Sequence, residues 1–372
     1  MSNPIGSFLK GVRVLDLSQY IPGPLGSLML VDMGADVIKI EPPSGDPMRD
    51  LGPRDQAGEA LFHRTLNAGK QILRLDLKTP KGAADLLDLV GHADVLIEGF
   101  RPGAMQRLGF DHARLSAVNP RLIYCSISGY GATGKQVLKA GHDANYLAEA
   151  GVLDRNGDMR PVYFDPPIAD LTGSLFAALA IVGALHGRHR TGQGCHIDLG
   201  LADVIMPLQM LQIADHGENA TVPQRGQTYL NGGAAYYNVY ETRDHRHLVV
   251  GAVEPKFWQT FSKAAGRPEW VSRQGEDLPQ TNLINDVAAR IAEMTLAENL
   301  ECFADGDCCV SAVLDLNEAL NDGTKQLSAR IAHRDLVRLG SDGLLQSLFP
   351  ARVNDTAPAL RPAMRDYLPP TP

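Results

Sequence analysis

The sequence predicts an α/β protein: a large domain built on a Rossmann-like, doubly wound parallel sheet, followed by a smaller α+β domain. Strand-like and helix-like segments alternate through the first 130 residues, which is typical of parallel sheets with crossover helices. Loops bearing glycine or proline follow the predicted strands. At 372 residues, the chain is long enough for two domains with substantial cores. Ligands of such sheets bind beyond the carboxyl ends of the strands, so we expect a site there.

The first forty residues are predicted to form one βαβ unit. GVRVLDL (11–17) is rich in β-branched and aliphatic residues and predicts a strand. A helix is then expected to begin near Pro24 and to end at Gly34, because proline suits the first turn and glycine the C-terminus of a helix. DVIKIE (36–41) is the next strand. The short connection implies a parallel pair with a right-handed crossover.

The alternation continues, with four further elements before the middle of the chain: a strand at 70–77, a helix at 79–92, and strands at 94–100 and 121–127. The longest apolar helical stretch is 170–190. It predicts a buried core helix, since it is too short, and too charged at its end, for a membrane span. A strand and another helix are expected within 195–217.

The domain organisation follows from a change in composition. The predicted large domain comprises 1–215 plus 325–372, and the polar segment 216–229 is the predicted linker. The small α+β domain is placed at 230–320. It is expected to contain a β-hairpin turning at Arg243-Asp244, and helices near 255–265 and 282–304.

Composition and charge exclude several classes of protein. The formal charge is −8 with acids and bases interspersed, which argues against nucleic acid as a partner. The chain has no continuous apolar run of about 18 residues and no secretory signal, so we expect no membrane association and a cytoplasmic location. Five cysteines without CxxC spacing indicate reduced thiols, and no metal site is expected.

Common cofactor and catalytic motifs are missing. The sequence contains no GxGxxG after the first strand, no phosphate-binding loop ending in Gly-Lys-Ser/Thr, no HExxH and no GxSxG. Nicotinamide chemistry and serine nucleophiles are therefore disfavoured. Carboxylates and histidine remain as the candidates for chemistry.

Three residues stand out, and each has a structural alternative. His142, in AGHDANY (140–146), is either a proton-transfer group or an exposed neighbour of a helix capped by Asp143. Asp170 is either an N-cap of the long apolar helix or a base or nucleophile at its mouth. Glu254, in GAVEPKFW, lies before a predicted helix, whose dipole also favours a carboxylate. The residues alone leave these alternatives open.

Ordered motifs along the chain resemble the class III CoA-transferase family (CaiB/BaiF type), and within it the α-methylacyl-CoA racemase branch. They run from about residue 10 to residue 315: GVRVLDLS, PGP, LVDMGADVIKIEPP, LDLKTPKG, ADVLIEGFRPGAMQRLG, NPRLIYCSISGYGATG, AGHDANY and RTGQGCHIDLGLAD. The resemblance implies an acyl-CoA substrate and a homodimer of interlocked chains. Coenzyme A would enter as part of the substrate, and no metal, nicotinamide or other prosthetic group is implied.

The resemblance also implies roles for individual residues. His142 of the GHD-x-NY motif and Asp170 match the two bases of the racemase branch, and Glu254 matches a glutamate that hydrogen-bonds to the histidine. Arg101 matches a phosphate-contacting arginine of the family. The pocket residues expected around the bases are Asp143, Asn145, Tyr146 and Tyr237. The residues expected to contact coenzyme A are Arg101, Lys39, Arg74, Gly129, Tyr130 and Gly131.

Two departures from the racemase pattern keep a second reaction open. Leu171-Thr172-Gly173 after the aspartate is nearer the transferase style. Pro42 stands where many relatives have an arginine that contacts the CoA phosphates, and Lys39, Arg49 and Arg64 are the candidates to replace it. A racemase would remove a proton from one face of the α-carbon and return one to the other, with His142 and Asp170 as the two groups. A transferase would use Asp170 as a nucleophile that forms an aspartyl anhydride.

Overall fold

The computed structural model describes residues 4–157, 159–321, 323 and 326–368. Within it the chain divides into two compact units. The first contains the residues up to Ala150, the segment Phe164–Leu208 and the residues from Ala329 onward. The second contains Gly151–Tyr163 and Gln209–Ser328. The segment Gly151–Tyr163 thus belongs with the second unit, although the sequence places it within the predicted large domain.

The first unit is built from alternating strands and helices. Its elements up to residue 200 are β1 (Arg13–Asp16), α1 (Pro22–Asp32), β2 (Asp36–Glu41), α2 (Leu61–Asn67), β3 (Gln71–Arg74), α3 (Pro80–Gly91), β4 (Val95–Glu98), α4 (Ala104–Leu108), α5 (His112–Val118), β5 (Ile123–Ser128), α6 (Asp143–Glu149), α7 (Ile168–Thr191) and β6 (Cys195–Gly200). The strands that the sequence predicts are all present, with ends shifted by up to three residues. Thr79 caps α3 as its Thr-Pro start predicts, since its hydroxyl accepts a hydrogen bond of 3.1 Å from the Gly82 amide.

The second unit is an α+β structure. Its elements are α8 (Met210–Asn219), β7 (Tyr237–Glu241), β8 (His247–Gly251), α9 (Pro255–Ala264), α10 (Thr281–Ile291), α11 (Leu296–Cys302), β9 (Val310–Ala312) and α12 (Leu316–Leu320). β7 and β8 form the predicted hairpin, and β9 extends it as a third antiparallel strand. The single helix expected at 282–304 is two helices, because Thr295 and Glu298 form a capping box that starts a new one. Trp258, Phe261 and Trp270 stack at the centre of this core.

The last described segment returns to the first unit. It contains α13 (Ala329–Arg334), β10 (Val337–Leu339), β11 (Leu345–Ser347) and β12 (Arg365–Asp366). β12 pairs in parallel with β3 at one edge of the large sheet. This short strand was not predicted, because two residues carry no periodicity that a sequence pattern can reveal.

The large sheet has seven parallel strands in the order β12-β3-β2-β1-β4-β5-β6. Its core follows the Rossmann order 3-2-1-4-5-6, which confirms the predicted fold class. Strands β2 and β3 lie on one side of β1. After β3 the chain crosses to β4, which lies on the other side of β1. The crevice between the carboxyl ends of β1 and β4 is therefore the topological switch point, where such sheets bind ligands.

Helix α7 is the longest helix of the first unit and packs against α1 and the sheet. Its length of 24 residues, and the mean hydropathy of 1.9 of an 18-residue window within it, would suffice for a membrane span, but one side of it forms core. Ala177 and Ile181 are fully buried there. The opposite side is open, with Leu175 55% and Leu179 65% exposed. The prediction of a buried core helix therefore holds for only one face of α7.

Candidate functional site

A cavity of about 490 Å³ lies at the switch point of the first unit. Loops that follow β1, β4 and β5 form its walls, as the fold class predicts. Gln19 and Tyr20 come from the first loop, Phe100 and Arg101 from the second, and Gly129 from the third. The starts of α6 and α7 complete the lining with His142, Asn145, Tyr146 and Asp170. The cavity thus brings together the two candidate bases, which are 28 residues apart in sequence.

His142 is exposed and occupies the N-cap position of α6. Its backbone amide donates a hydrogen bond of 3.0 Å to Oδ1 of Asn145. Its backbone carbonyl accepts the Asn145 amide at 2.8 Å. The backbone of His142 is therefore fixed by the first turn of the helix that follows it, and His142 lines the cavity.

Tyr146 supports the loop in front of His142. Its ring is 5% exposed, and its hydroxyl donates a hydrogen bond of 2.6 Å to the carbonyl of Gly141. A Cβ atom at Gly141 would lie 2.8 Å from this ring, and one at Gly129 would lie 2.7 Å from its hydroxyl oxygen. Burial raises the pKa of Tyr146 to about 12, so the hydroxyl stays protonated near neutral pH. The glycines of both motifs therefore make room for Tyr146.

Asp170 is not the N-cap of α7. The helix begins at Ile168, so Asp170 is its third residue. Its carbonyl accepts a hydrogen bond from the Ser174 hydroxyl, whereas no described residue donates to its carboxylate. Burial raises the pKa of this carboxyl from 3.8 to about 6, repulsion from Asp143 adds to the rise, and His142 opposes it. The carboxylate of Asp170 is half-buried and has no partner among the described residues. This fits a base or nucleophile and does not fit an N-cap.

The carboxylate of Asp143 points to α7 and does not cap its own helix. Its Oδ1 atom accepts hydrogen bonds from the amides of Ala169, at 2.6 Å, and Asp170, at 3.2 Å. Asp143 is not among the residues that line the cavity. The alternative in which Asp143 caps α6 is therefore wrong, because His142 holds the N-cap position and the Asp143 side chain accepts hydrogen bonds from α7.

Three residues of the SGYG loop, Gly129, Tyr130 and Gly131, are predicted to contact coenzyme A, and one of them lies at the cavity. Gly129 lines it. Tyr130 instead donates a hydrogen bond of 2.7 Å to Glu149, and Gly131 adopts a φ of 78°, which favours glycine. Arg101 lines the cavity with an exposed guanidinium that forms no hydrogen bond with any described residue. Arg101 is therefore available to an anionic ligand.

Lys39 does not reach the cavity. It is 1% exposed, and its ammonium lies 2.9 Å from the Asp46 carboxylate and also donates to the Ser18 carbonyl. Lys70 is fully buried beside it and binds Asp16 at 3.1 Å. Since every part of Lys39 is enclosed, the expected contact with coenzyme A does not fit this structure. The buried cluster instead holds the loop that begins at Ser18.

The other basic residues considered for the place of Pro42 are also engaged. Arg49 forms two hydrogen bonds with Glu41, of 2.8 and 3.0 Å. Arg64 pairs with Asp342 at 2.9 Å and with Asp55. Arg74 lies with both of them around a different cavity, of about 680 Å³. The structure therefore separates Arg74 from His142 and Asp170, contrary to expectation.

Two predicted site residues lie in the second unit. Glu254 is exposed and precedes α9, and its side chain forms no cap hydrogen bond there. Tyr237 is 41% exposed at the start of β7, with its ring 6.1 Å from that of Tyr229. Their roles beside His142 stay predictions.

The structure adds two residues to the site that the sequence did not single out. Tyr20 lines the cavity with a φ of 62°, a backbone conformation uncommon outside glycine and often found at functional sites. Lys139 also lines it and pairs with Glu149 at 2.8 Å. Its position three residues before His142 is the sequence feature that could have indicated a place in the site. Nothing in the sequence foretells the conformation of Tyr20.

The fold and the site define an α/β enzyme with a switch-point cavity that holds an imidazole and a carboxylate. The family model for CoA-transferase family III matches residues 9–364. The chain belongs to this family, which contains both transferases and racemases, so the predicted family membership is confirmed.

Individual relatives carry both activities in their names. An α-methylacyl-CoA racemase of Homo sapiens is 36% identical over 323 residues, which cover 84% of this chain and 79% of the relative. An acetyl-CoA:oxalate CoA-transferase of Acetobacter aceti is 41% identical over 333 residues, covering 86% and 84%. A CaiB/BaiF family protein of Brucella suis has a solved structure with a TM-score of 0.84 at 27% identity, covering 98% and 96% of the two chains. Overall similarity thus supports an enzyme of this family without choosing between its reactions.

Proposed function

We propose that the protein is an acyl-CoA racemase that inverts the α-carbon of 2-methyl-branched acyl-CoA thioesters. The observation that carries this proposal is the pair His142 and Asp170 at one cavity. Burial and the neighbouring Asp143 raise the pKa of Asp170 to about 6, which brings it into the range of an imidazole. A carboxyl whose pKa is raised to about 6 can act as an acid or as a base near neutral pH.

The chemistry follows from the thioester. Its carbonyl acidifies the α-hydrogen, because the carbanion delocalises onto oxygen as an enolate. One base removes the proton from one face, and the other group delivers a proton to the opposite face. With the other enantiomer, the roles of His142 and Asp170 reverse. The amides of Asp143 and Ala144, the first two of α6, donate to no described residue, and they are the donors proposed to stabilise the enolate oxygen.

Arg101 is the proposed phosphate contact of coenzyme A. Its guanidinium suits a bidentate contact with phosphate oxygens. Coenzyme A would enter as part of the substrate, and the proposed reaction requires no prosthetic group. Glu254 is proposed to orient the ring of His142.

The lining of the cavity supports an apolar acyl group. Pro22, Ile127, Leu138 and Leu201 contribute aliphatic surface to it. Its cationic side chains are Arg101, assigned above to phosphate, and Lys139, which is neutralised by Glu149. A hydrocarbon chain fits this surface better than a second carboxylate, which would need a cation of its own.

A CoA-transferase is the second candidate. The carboxylate of Asp170 accepts no hydrogen bond from a described residue and faces the cavity, as a nucleophile must. Asp170 would attack the thioester carbonyl, form an aspartyl anhydride and release the thiolate of coenzyme A. The thiolate would then attack the aspartyl carbonyl of the anhydride, releasing the first acid and leaving an enzyme–CoA thioester. An acceptor carboxylate would attack that thioester to form a second anhydride and expel the thiolate, which would attack the acceptor's carbonyl to form the new acyl-CoA and free Asp170.

Incubation in heavy water distinguishes the two reactions. We expect deuterium to appear at the α-carbon of (2R)- and (2S)-2-methylacyl-CoA without any acceptor acid, together with racemisation. Absence of α-exchange, combined with movement of coenzyme A to an added carboxylate, would overturn the racemase proposal. Hydroxylamine trapping of Asp170 as its hydroxamate would then identify the transferase.

A homodimer with interlocked chains in the cytoplasm is also part of the proposal. The open face of α7 supports a partner, because exposed apolar patches of this kind mark interaction surfaces. On this face Leu175 is 55% and Leu179 is 65% exposed. The location itself is proposed from the five cysteines without CxxC spacing, which indicate reduced thiols.

A further inference from the structure

Helix α7 begins with a residue that cannot cap it. Pro167 occupies its N-cap position, and no side chain there accepts a hydrogen bond from the first turn. The amides of Ala169 and Asp170, which have no acceptor within the helix, both donate to Oδ1 of Asp143. The cap of α7 therefore comes from a different helix.

The capping residue stands next to the other candidate base. Asp143 is the first residue of α6 and follows His142 directly. The backbone of His142 is fixed by its two hydrogen bonds with Asn145. One carboxylate thus links the helix start that carries His142 to the peptide of Asp170. The distance between the two reacting groups depends on this link.

We propose that Asp143 is a positioning residue that sets the place and the charge environment of the Asp170 carboxylate relative to His142. This inference rests on the proposed function, because it assigns Asp143 a task in the proton transfer between His142 and Asp170. It also replaces the expected role of Asp143 as a residue that contacts the substrate. The absence of Asp143 from the cavity lining agrees with this assignment.

The charges that face Asp170 come from α6. Asp143 repels its ionised form, and His142 favours that form. Tyr146 is neutral near pH 7, since its pKa is raised to about 12 by burial. Arg101 and Lys139 line the same cavity, and Lys139 is paired with Glu149. Asp143 is therefore the negative charge whose removal should move the titration of Asp170.

Two variants separate the charge of Asp143 from its hydrogen bonds. D143N keeps an oxygen that can accept the amides of Ala169 and Asp170 but removes the charge, whereas D143A removes both. D315N is the matched control, because Asp315 caps the remote helix α12 through the Glu318 amide. The carboxyl of Asp170 is followed by ¹³C NMR, assigned with D170N, and the amides of residues 169 and 170 by hydrogen exchange.

We expect D143N to lower the pKa of Asp170 by about one unit and to shift the acidic limb of the α-exchange rate by the same amount. Amide exchange at 169 and 170 should stay near the wild-type rate in D143N. It should rise roughly fivefold or more in D143A, where the cap is lost. D315N should change neither the titration nor these amides.

The outcomes distinguish this inference from the proposed reaction. Wild-type titration of Asp170 in D143N, with unchanged amide exchange in D143A, overturns the role of Asp143 whatever the activity. If the titration and the amides respond as expected but the wild-type enzyme shows no α-exchange, the positioning role holds and the racemase proposal fails.

Discussion

The hydroxyl of Tyr146 donates a hydrogen bond of 2.6 Å to the carbonyl oxygen of Gly141, the residue that precedes His142. This bond joins the buried side of α6 to the loop that delivers the candidate base. Because a Cβ atom at Gly141 would lie 2.8 Å from the same ring, the loop and the tyrosine fit only when position 141 is glycine or the ring moves.

Replacement of Tyr146 by phenylalanine should impair catalysis more than it impairs folding. Loss of one buried hydrogen bond costs about 1 kcal/mol of unfolding free energy. If that bond holds the His142 loop in place, the α-exchange rate should fall by roughly five- to tenfold. Deuterium incorporation and urea denaturation measure the two effects. Y163F is the control, since Tyr163 is 77% exposed. Equal rates for Y146F and the wild type would contradict this role.

Substitution of either base should suppress racemisation but leave exchange of the α-proton of one enantiomer. In a two-base reaction, D170N leaves His142 able to exchange the α-proton of one enantiomer only, and H142Q leaves Asp170 to exchange that of the other. Racemisation should fall by at least a thousandfold in both variants, in line with loss of a general base whose partner cannot replace it. Chiral analysis and deuterium content of each recovered enantiomer test this. Exchange of the same enantiomer by both variants would contradict opposed bases.

D170N should also stabilise the protein at neutral pH. The pKa of Asp170 lies at about 6 in the folded chain against 3.8 ordinarily, so the folded state binds this proton more tightly. Its contribution to stability is present below pH 4 and is lost as the pH rises through 6, which costs about 1 to 3 kcal/mol at pH 7. The gain of D170N should therefore grow between pH 4.5 and pH 7.5. Urea denaturation across this range measures it, and a gain independent of pH would refute the assignment.

Alanine in place of Arg101 should weaken substrate binding, whereas alanine in place of Lys39 should lower the stability of the fold. R101A removes an exposed charge that is proposed to contact phosphate, so the KM for acyl-CoA should rise roughly tenfold or more with little change in stability. K39A leaves the Asp46 carboxylate buried without its cation, which should cost about 3 to 5 kcal/mol of unfolding free energy. Steady-state kinetics and denaturation midpoints test both. An increase in KM in K39A without loss of stability would restore Lys39 as a ligand contact.

A charge on the open face of α7 should dissociate the proposed dimer. L179D places a carboxylate on a surface where Leu179 is now 65% exposed, so an isolated chain would tolerate it, whereas a buried interface would not. Light scattering after size-exclusion chromatography should show a dimer for the wild type and a monomer for L179D. L316D is the control, because Leu316 is 76% exposed on α12. A wild-type monomer would contradict the proposal.

Much of the fold was predictable because its signals are local. The run DVIKIE coincides with β2, and Thr79-Pro80 begins α3, since strand periodicity and capping chemistry involve only neighbouring residues. The motif around His142 and the position of Asp170 likewise predicted four residues that line the cavity: His142, Asn145, Tyr146 and Asp170.

The errors concern side-chain contacts that a linear pattern does not show. The sequence indicates that Lys39 is a cation near a strand end, but its ammonium is buried within the first unit, where it pairs with Asp46 and donates to the Ser18 carbonyl. The sequence places Arg74 near the switch-point crevice, but Arg74 lines the second cavity together with Arg49 and Arg64. No local pattern distinguishes a buried, paired cation from a free one, because pairing depends on which loops meet in space.

The sequence by itself determined the class of fold, the family and the two residues proposed for proton chemistry, because these are carried by periodicity and by ordered motifs. Only the tertiary structure decided that the Asp170 carboxylate, inside α7, has no hydrogen-bond partner among the described residues, and that Asp143 caps that helix from α6. The physical reason is that the pKa of a carboxyl depends on its burial and on the charges within a few ångströms. Those neighbours come from helices joined by a connection of eighteen residues, from 150 to 167.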